Sequence, residues 1–396
     1  MRTGRIPGFK FSGVSSGIKE KARLDLALIR SNPPATVVGC FTQNKVQAAP
    51  VVVSQRNIRS GLCSAVIINS GNANACTGTR GLRDAETMVR VTARALGVPT
   101  RQVLVCSTGK IGVPLPIGKI SGAIPKAASS LSPGHFMQAA RAILTTDRGP
   151  KTAFFKGRIG GRQFLLAGFA KGAGMIEPHM ATMLAFIMTD LRIGRPLLQQ
   201  ILKRVVDQTF NRITVDGDSS TNDTALLLAN GLAGNAPLRS GSRETKKFEE
   251  ALCRVMEQLA FRMVEDGEGA TKRVKIEVKG AKSAAEAREI AYTIGRSPLV
   301  KTSFFGEDPN WGRVIAAAGR SGATLDPRLV DIYYEEVPVV RRGRPVGKTA
   351  EEKAKRAMKK RCFNVTVSLN VGDGDFWIWA SDLTVNYVKL NAEYRT

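Results

Sequence analysis

Residues 164–190, FLLAGFAKGAGMIEPHMATMLAFIMTD, consist of two apolar runs separated by a glycine-containing segment. The runs 164–170 and 182–188 carry no charged residue and have the length of buried strands. Residues 171–179 between them contain two glycines and a proline, which is typical of an irregular link. The stretch therefore predicts two buried strands joined by this link, with the start of the second strand in the interior of the protein.

The second strand begins with a hydroxyl residue, Thr182, directly after the small residue Ala181. If the Thr182 hydroxyl attacks the Ala181 carbonyl carbon, the peptide bond rearranges to an ester, and hydrolysis leaves Thr182 as a new chain start. The freed α-amine can then serve as the base for the hydroxyl of the same residue. The local sequence also fits a simpler interpretation, in which Thr182 is only the first residue of a buried strand.

Short apolar runs alternate with segments of helical spacing along the rest of the chain, which indicates a mixed α/β architecture. The apolar runs predict strands at 51–53, 65–69, 103–106, 363–370, 376–380 and 384–390. The helical spacing predicts helices at 85–96, 135–144, 197–210 and 244–265. Residues 230–243 are rich in Gly, Pro, Asn and Ser, so we place a boundary there between a catalytic domain, 1–235, and a C-terminal α/β domain, 236–396.

The composition is that of a globular protein without a membrane segment. With 396 residues, of which 43% are hydrophobic, the chain can bury a large core. No apolar run approaches the roughly 18 residues of a membrane helix, and none of signal-peptide length follows the first basic residues, so a cytoplasmic protein is expected. The six cysteines form no Cys-x-x-Cys pair and there are only two histidines, so we expect reduced thiols and no zinc site.

The chain is strongly basic, with 59 Lys and Arg against 33 Asp and Glu and a formal net charge of +26. Most of this excess precedes Thr182, where 25 basic residues stand against 6 acidic ones. A nucleic-acid-binding protein can carry such a charge. Here the basic residues are dispersed and aromatic residues are only 6% of the chain, so no nucleic-acid role is predicted, although the charge can attract anionic substrates.

Ordered blocks along the whole chain resemble the glutamate N-acetyltransferase (ornithine acetyltransferase) family of arginine biosynthesis. The central block is the segment around the proposed cleavage point, residues 171–184. The other blocks, in chain order, are GRIPGF at 4–9, GVSSGI at 13–18, FTQN at 41–44, NSGNANA at 69–75, STGKIG at 107–112, VDGD at 215–218, STND at 220–223, DGEGATK at 266–272, DPNWGR at 308–313 and NAEYRT at 391–396. Because the blocks keep the family's order from the first residues to the last, chance does not explain the match.

The resemblance implies a fold, a reaction and an assembly. The fold is a layered α-β-β-α sandwich of the self-cleaving aminopeptidase and ornithine acetyltransferase type, with a smaller C-terminal α/β domain. The reaction moves the acetyl group from N2-acetylornithine to glutamate through an acetyl-Thr intermediate, with ping-pong kinetics and no metal or organic cofactor. Acetyl-CoA serves some members as a second acetyl donor, a choice that these residues leave open. The two fragments would stay together and pair as an (αβ)2 heterotetramer.

The resemblance also implies roles for individual residues. Cleavage falls between Ala181 and Thr182, and Thr182 becomes the nucleophile. Thr108 and Gly109 would form the oxyanion hole, since a glycine in a turn after a strand permits the backbone angles that such donors need. Substrate would be bound by Thr182 and by five further residues, Thr145, Lys171, Glu268, Asn391 and Thr396, with Thr146 as an alternative to its neighbour Thr145.

The sequence departs from the family pattern near the proposed site. Ala173 stands where Ser is common, and Glu177 and His179 stand where a neutral residue and Asn are expected. We expect these differences to slow cleavage without removing the nucleophile. Lys110 adds a charge beside the proposed oxyanion hole. One alternative function stays open, in which the same nucleophile ends in hydrolysis, as in the related self-cleaving amidases and aminopeptidases.

Overall fold

The computed structural model describes residues 5–20, 22–177 and 183–393. Within these ranges the strands are β1 (Phe9–Val14), β2 (Leu26–Phe41), β3 (Leu62–Asn72), β4 (Val103–Lys110), β5 (Lys151–Ile159), β6 (Arg162–Lys171), β7 (Leu184–Thr189), β8 (Ile213–Thr214), β9 (Thr224–Ala229), β10 (Arg273–Ala281), β11 (Asp331–Tyr334), β12 (Val337–Arg341), β13 (Arg344–Pro345), β14 (Cys362–Ser368) and β15 (Gly374–Ser381). The helices are α1 (Ala49–Asn57), α2 (Gly78–Leu96), α3 (Ile117–Ser129), α4 (Phe136–Ala142), α5 (Arg195–Gln208), α6 (Arg243–Glu265), α7 (Ala284–Arg296), α8 (Pro298–Phe305), α9 (Trp311–Gly319), α10 (Lys348–Met358) and α11 (Val385–Glu393).

The first sheet has the strand order β4-β3-β2-β9-β7-β6-β5, with β1 paired to β2. The long strand β2 belongs to both halves of this sheet, since residues 26–30 pair with β3 and residues 36–41 pair with β9. Its register with β3 shifts between Arg30 and Ala35. Phe11 of β1 and Phe169 of β6 then meet across the sheet, with ring centroids 6.5 Å apart. The two halves therefore face each other around one apolar core.

Helices cover the two outer faces of this folded sheet. Side chains alternate along each strand, so Val66 and Ile68 of β3 point into the core between the halves while Ile67 packs with α2 and α3. In the same way Leu226 of β9 points into that core, and Leu227 packs with α5 and α6. The layers are thus helices, half-sheet, half-sheet and helices. The predicted α-β-β-α sandwich is confirmed.

The second sheet has the order β13-β12-β11-β14-β10-β15-β8 and its own apolar core. Val274, Ile276 and Val278 of β10 turn one face of the sheet toward Ile290 and Ile294 of α7. The two-residue strand β8 pairs with β15 and so joins this sheet to the segment before β9. The helix α6 lies after the predicted boundary at residue 235 but packs on the first sheet. The predicted division near residue 235 stays a prediction.

The prediction of a strand at 51–53 is wrong, because these valines lie in the helix α1. Pro50 occupies the first turn of α1, where its fixed φ favours a helix and its missing N–H is not needed. Ser54 then uses its hydroxyl to donate to the Val105 carbonyl at 2.7 Å and to accept from the Val105 N–H at 2.8 Å. The helix therefore satisfies backbone groups of the edge strand β4, a tertiary contact that a short apolar run does not reveal.

The prediction of a strand at 384–390 is also wrong, because α11 occupies this segment. The Thr384 hydroxyl accepts from the Tyr387 N–H at 3.2 Å and donates to the Gly269 carbonyl at 2.8 Å. It therefore caps the helix and ties it to the loop after α6. Val385 and Val388 are 58% and 60% exposed, so no sheet face buries the apolar residues that suggested a strand.

Candidate functional site

A cavity of about 190 Å³ lies where the ends of β4 and β6 meet the loop after α6 and the helix α11. Six predicted site residues line it, namely Thr108, Gly109, Thr145, Lys171, Glu268 and Asn391. Thr146 lines it too, so the cavity does not distinguish between the two threonines. Ala181, Thr182 and Thr396, with His179, lie outside the described residues. The volume is below the range typical of drug-sized ligands and suits a molecule of about amino-acid size.

The predicted oxyanion hole lies at a strand end that only glycine permits. Gly109 has a φ of +132°, and a Cβ there would lie 2.3 Å from the Gly71 carbonyl carbon and 2.5 Å from the Asn72 nitrogen. The pairing of β3 with β4 shifts register at the same point. The close approach of the two backbones therefore fixes Thr108 and Gly109 at the cavity wall, where backbone N–H groups can serve a developing oxyanion. Lys110 is exposed and does not line the cavity.

Lys171, the last residue of β6, places a buried ammonium at the cavity. The residue is 3% exposed, its Nζ donates to Thr108 Oγ1 at 3.3 Å, and it lies 3.9 Å from Asp147 Oδ2. Burial lowers the pKa of Lys171, while Asp147 and nearby carboxylates of Glu268 and Asp223 act in the opposite direction. An ammonium in this position can bind the carboxylate of a small substrate.

Asp147 is a buried carboxylate that the sequence analysis did not select. Its Oδ1 accepts from the Gly172 N–H at 2.7 Å and from Lys151 Nζ, and its Oδ2 accepts from the Thr145 N–H at 3.1 Å. Burial alone would raise the pKa of Asp147, but the ammonium groups of Lys171 and Lys151 and these hydrogen bonds outweigh burial and hold the pKa below its usual range. Asp147 is therefore an ionised group behind the wall of the cavity.

Two other aspartates hold the chain on either side of residues 178–182. Before them, Asp216 accepts from the N–H groups of Met175 and Ile176 at 2.6 and 2.8 Å. After them, Asp223 accepts from the Met183 N–H at 2.8 Å. Burial raises the pKa of Asp216 to about 6 and raises that of Asp223 well above its usual value. Both flanks of the predicted cleavage segment are thus held by aspartate carboxylates, that of Asp216 partly buried and that of Asp223 buried.

Glu268 and α11 close the opposite side of the cavity. The Glu268 carboxylate packs so closely on Gly174 that a Cβ there would lie 2.4 Å from the carboxyl carbon, and the Glu268 N–H donates to the Ala173 carbonyl at 2.9 Å. Asn391 Nδ2 donates to Glu268 Oε2 at 2.9 Å, and the Tyr387 hydroxyl lies 3.4 Å from Asp216. Asn391, near the end of the described residues, therefore reaches the cavity.

Glu177, a departure from the family pattern, is buried and paired. Its carboxylate accepts from Arg296 Nε at 2.6 Å and from the Thr214 hydroxyl at 2.5 Å. Burial raises the pKa of Glu177, and the Arg296 guanidinium and the Thr214 hydroxyl act against that shift. The residue that precedes the undescribed segment is thus attached to α7 and β8, elements of the second sheet unit.

Sequence reasoning missed Asp147, Asp216 and Tyr387 as parts of this site. The sequence signal for Asp147 is its position directly after Thr145 and Thr146. The signal for Asp216 is its position in the block VDGD, which resembles the family. Tyr387 lies in the segment 384–390, for which the sequence predicts a strand. Within the described ranges, no cluster of three or more His, Cys, Asp or Glu side chains is placed to hold a metal ion.

The chemistry of the cavity is that of a site for a small charged molecule. It combines a buried ammonium, hydroxyl groups, carboxylates and a glycine turn that can present backbone donors. Together with the layered α/β fold, these groups fit an enzyme with an amino-acid-sized substrate.

The ArgJ family matches residues 10–396, and the chain belongs to this family. The arginine biosynthesis bifunctional protein ArgJ of Geobacter sulfurreducens is 49% identical over 391 residues, which cover 99% of this chain and 100% of that protein. The crystal structure of the ArgJ protein of Bacillus halodurans is 40% identical with a TM-score of 0.50, and the match covers 52% of this chain and 96% of the solved chain. Ornithine acetyltransferase of Mycobacterium tuberculosis, solved with ornithine, is 37% identical with a TM-score of 0.39, over 44% of this chain and 92% of that one.

The resemblance predicted from sequence blocks is therefore confirmed, and with it an acyltransferase of arginine biosynthesis. A purely hydrolytic amidase is not favoured by this family membership. Among the helices in the described part of the chain, none has the length and apolar character needed to cross a membrane.

Proposed function

We propose that the chain cleaves itself between Ala181 and Thr182 and that Thr182 then carries the acetyl group from N2-acetylornithine to glutamate. The observation that carries this proposal is the convergence of distant predicted residues on one cavity, from Thr108 on β4 to Asn391 on α11. The chain that follows Thr182 lies beside this cavity, because Leu184 pairs with Lys171 in the sheet.

The proposed reaction combines Thr182 with groups that line the cavity. The Thr182 hydroxyl attacks the acetyl carbonyl, and backbone N–H groups at Thr108 and Gly109 stabilise the oxyanion. The amide C–N bond breaks, ornithine leaves with a proton on its α-amine, and an acetyl-Thr ester remains. The α-amine of glutamate then attacks the ester, which releases N-acetylglutamate and restores the Thr182 hydroxyl. Lys171 binds the α-carboxylate of each amino acid, and Glu268, oriented by Asn391, faces its amino groups.

The remaining substrate positions complete this proposal. Thr145 and Thr396 contribute further polar contacts to the substrate. Neither a metal nor an organic cofactor is needed, and acetyl-CoA is proposed as a second acetyl donor. The fragments form an (αβ)2 heterotetramer in the cytoplasm. The solved relative supports cleavage. The match covers 96% of the solved Bacillus halodurans chain but only 52% of this chain, so that solved chain is about half as long as this one.

A denaturing gel with N-terminal sequencing tests the cleavage step. We expect fragments of 181 and 215 residues, the second beginning Thr-Met-Leu-Ala. Thr182→Ala should give one uncut band without transferase activity, whereas the control Thr182→Ser keeps a hydroxyl and should still be cut. Continued cleavage of Thr182→Ala at the same bond would refute the proposal.

An acetyl-transfer assay tests the reaction. With N2-acetylornithine as donor, the cleaved protein should form N-acetylglutamate only when glutamate is present, with the parallel double-reciprocal lines of a ping-pong mechanism. Release of free acetate at an equal rate with and without glutamate would instead indicate a hydrolase.

A further inference from the structure

A chain of paired charges runs from the cavity into the protein, and three of its members, Asp147, Lys151 and Asp266, are not assigned to any step above. It begins at Lys171, passes through Asp147 to Lys151, and ends at Asp266 directly after α6. The Asp147 side chain is 0% exposed and that of Lys151 is 2% exposed. Buried charges cost free energy to remove from water. Removal of one partner strongly destabilises the protein, because the other charge is then buried without a partner.

The pattern of hydrogen bonds shows what Asp147 holds in place. One oxygen binds the backbone of Gly172, the residue after Lys171, and the other binds the backbone of Thr145. Thr145, and Lys171 next to Gly172, line the cavity and are predicted substrate-binding residues. Asp147 itself does not line the cavity.

Lys151 fixes Asp147 from the other side. It is the first residue of β5 and pairs with Ala170, so its side chain reaches Asp147 from the strand next to Lys171. Its Nζ also bonds to Asp266, which in turn accepts from Arg148 Nε at 2.9 Å. The network thus connects the end of β6 with the loop that carries Glu268.

We propose that Asp147 is a positioning residue, which holds the Lys171 ammonium and the backbone of Thr145 and Gly172 in the arrangement that binds the substrate carboxylate. This inference rests on the proposed function, in which Lys171 binds that carboxylate. Asp147 acts through Lys171, because the Asp147 carboxylate is buried behind the cavity wall.

The ionisation of Lys171 distinguishes a positioning role of Asp147 from a role in packing alone. The charged groups that influence Lys171 come from several elements, namely Lys19 after β1, Asp147 before β5, Lys151 on β5, Asp223 before β9 and Glu268 after α6. Asp147 raises the pKa of Lys171, whereas Lys151 lowers it. Removal of Asp147 and removal of Lys151 should therefore move the ionisation of Lys171 in opposite directions.

The experiment compares the pH profile of kcat/KM for N2-acetylornithine in three variants of the full chain. In Asp147→Asn the alkaline limb should move to lower pH by about one unit or more, because an opposite charge near Lys171 is lost. In Lys151→Met the limb should move to higher pH. The control is Asp190→Asn, which removes a buried carboxylate at the opposite end of β6 and β7, where Asp190 accepts from the Leu165 N–H at 2.8 Å. This variant should leave the alkaline limb in place.

Limbs that stay in place in both Asp147→Asn and Lys151→Met, or that move in the same direction, would overturn the inference. If one of the two variants does not fold, the direction of the shift in the other decides. If the wild-type protein transfers no acetyl group, the proposed function fails, and the inference is then decided by NMR titration of the Lys171 side chain in 13C-lysine-labelled protein. Equal titration of Lys171 in the wild type and in Asp147→Asn would overturn it there as well.

Discussion

Gly109→Ala should destabilise the protein and disable the site, and the structure gives the size of the effect. The added Cβ would meet backbone atoms of Gly71 and Asn72 at 2.3 and 2.5 Å, contacts that no side-chain rotation relieves. The backbone angle of +132° adds a conformational cost of about 1–3 kcal/mol. Overpacking against backbone adds about 1–3 kcal/mol more, so we expect a loss of about 2–6 kcal/mol in the free energy of unfolding.

Gly112→Ala is the matched control, since Gly112 also has a left-handed φ, +77°, but no atom lies within 4 Å of its added Cβ. It should lose only about 1–2 kcal/mol. Urea unfolding of both variants measures the difference. Displacement of the Gly109 turn should also lower kcat by about 10²- to 10³-fold, the usual effect of losing an oxyanion donor. Similar stability and a similar kcat for the two variants would refute this reasoning.

Two further predictions concern the flanks of the cleavage segment. Burial raises the pKa of Asp216 in the folded state to about 6. The stabilising contribution of Asp216 is therefore present below about pH 4 and is lost as the pH rises through 6. Urea unfolding should show that the free energy of unfolding of the wild type, relative to that of Asp216→Asn, falls across this pH window. Arg296→Met leaves the buried carboxylate of Glu177 without its guanidinium partner, so it should cost about 2–4 kcal/mol and slow precursor cleavage on a gel time course. The control Arg328→Met breaks an exposed pair and should leave stability and cleavage rate nearly unchanged. A precursor of Arg296→Met that matures at the wild-type rate would contradict the second prediction.

The strands of the core could be predicted because their sequence pattern reflects burial directly. Residues 164–170 and 103–106 are short apolar runs, and the structure places them in β6 and β4. The segments at 51–53 and 384–390 have similar runs but form helices. Their structure depends on Pro50, on the Thr384 cap and on contacts with β4 and the loop after α6, which a local pattern does not contain.

The candidate site could be predicted where its residues lie in distinctive motifs. Thr108 and Gly109 form a Thr-Gly pair at the end of β4, and Glu268 stands between two glycines in the loop after α6, so the sequence marks them. Asp147 carries no such mark, because its importance comes from partners on β6 and after α6 that are far away in the chain. A buried charge network of this kind depends on the tertiary fold and has no local signature.

The order of strands in the first sheet has a consequence for biosynthesis. β7 and β9 follow the proposed cut, yet they lie between β2 and β6, which precede it. Each of the two junctions is a ladder of six residue pairs. While the ribosome is still translating this region, the N-terminal half therefore exposes two open strand edges, which are templates for aggregation. We therefore expect the proposed cleavage to begin only after residue 229 has emerged. We also expect that production of the halves from two separate genes succeeds only when both are expressed together.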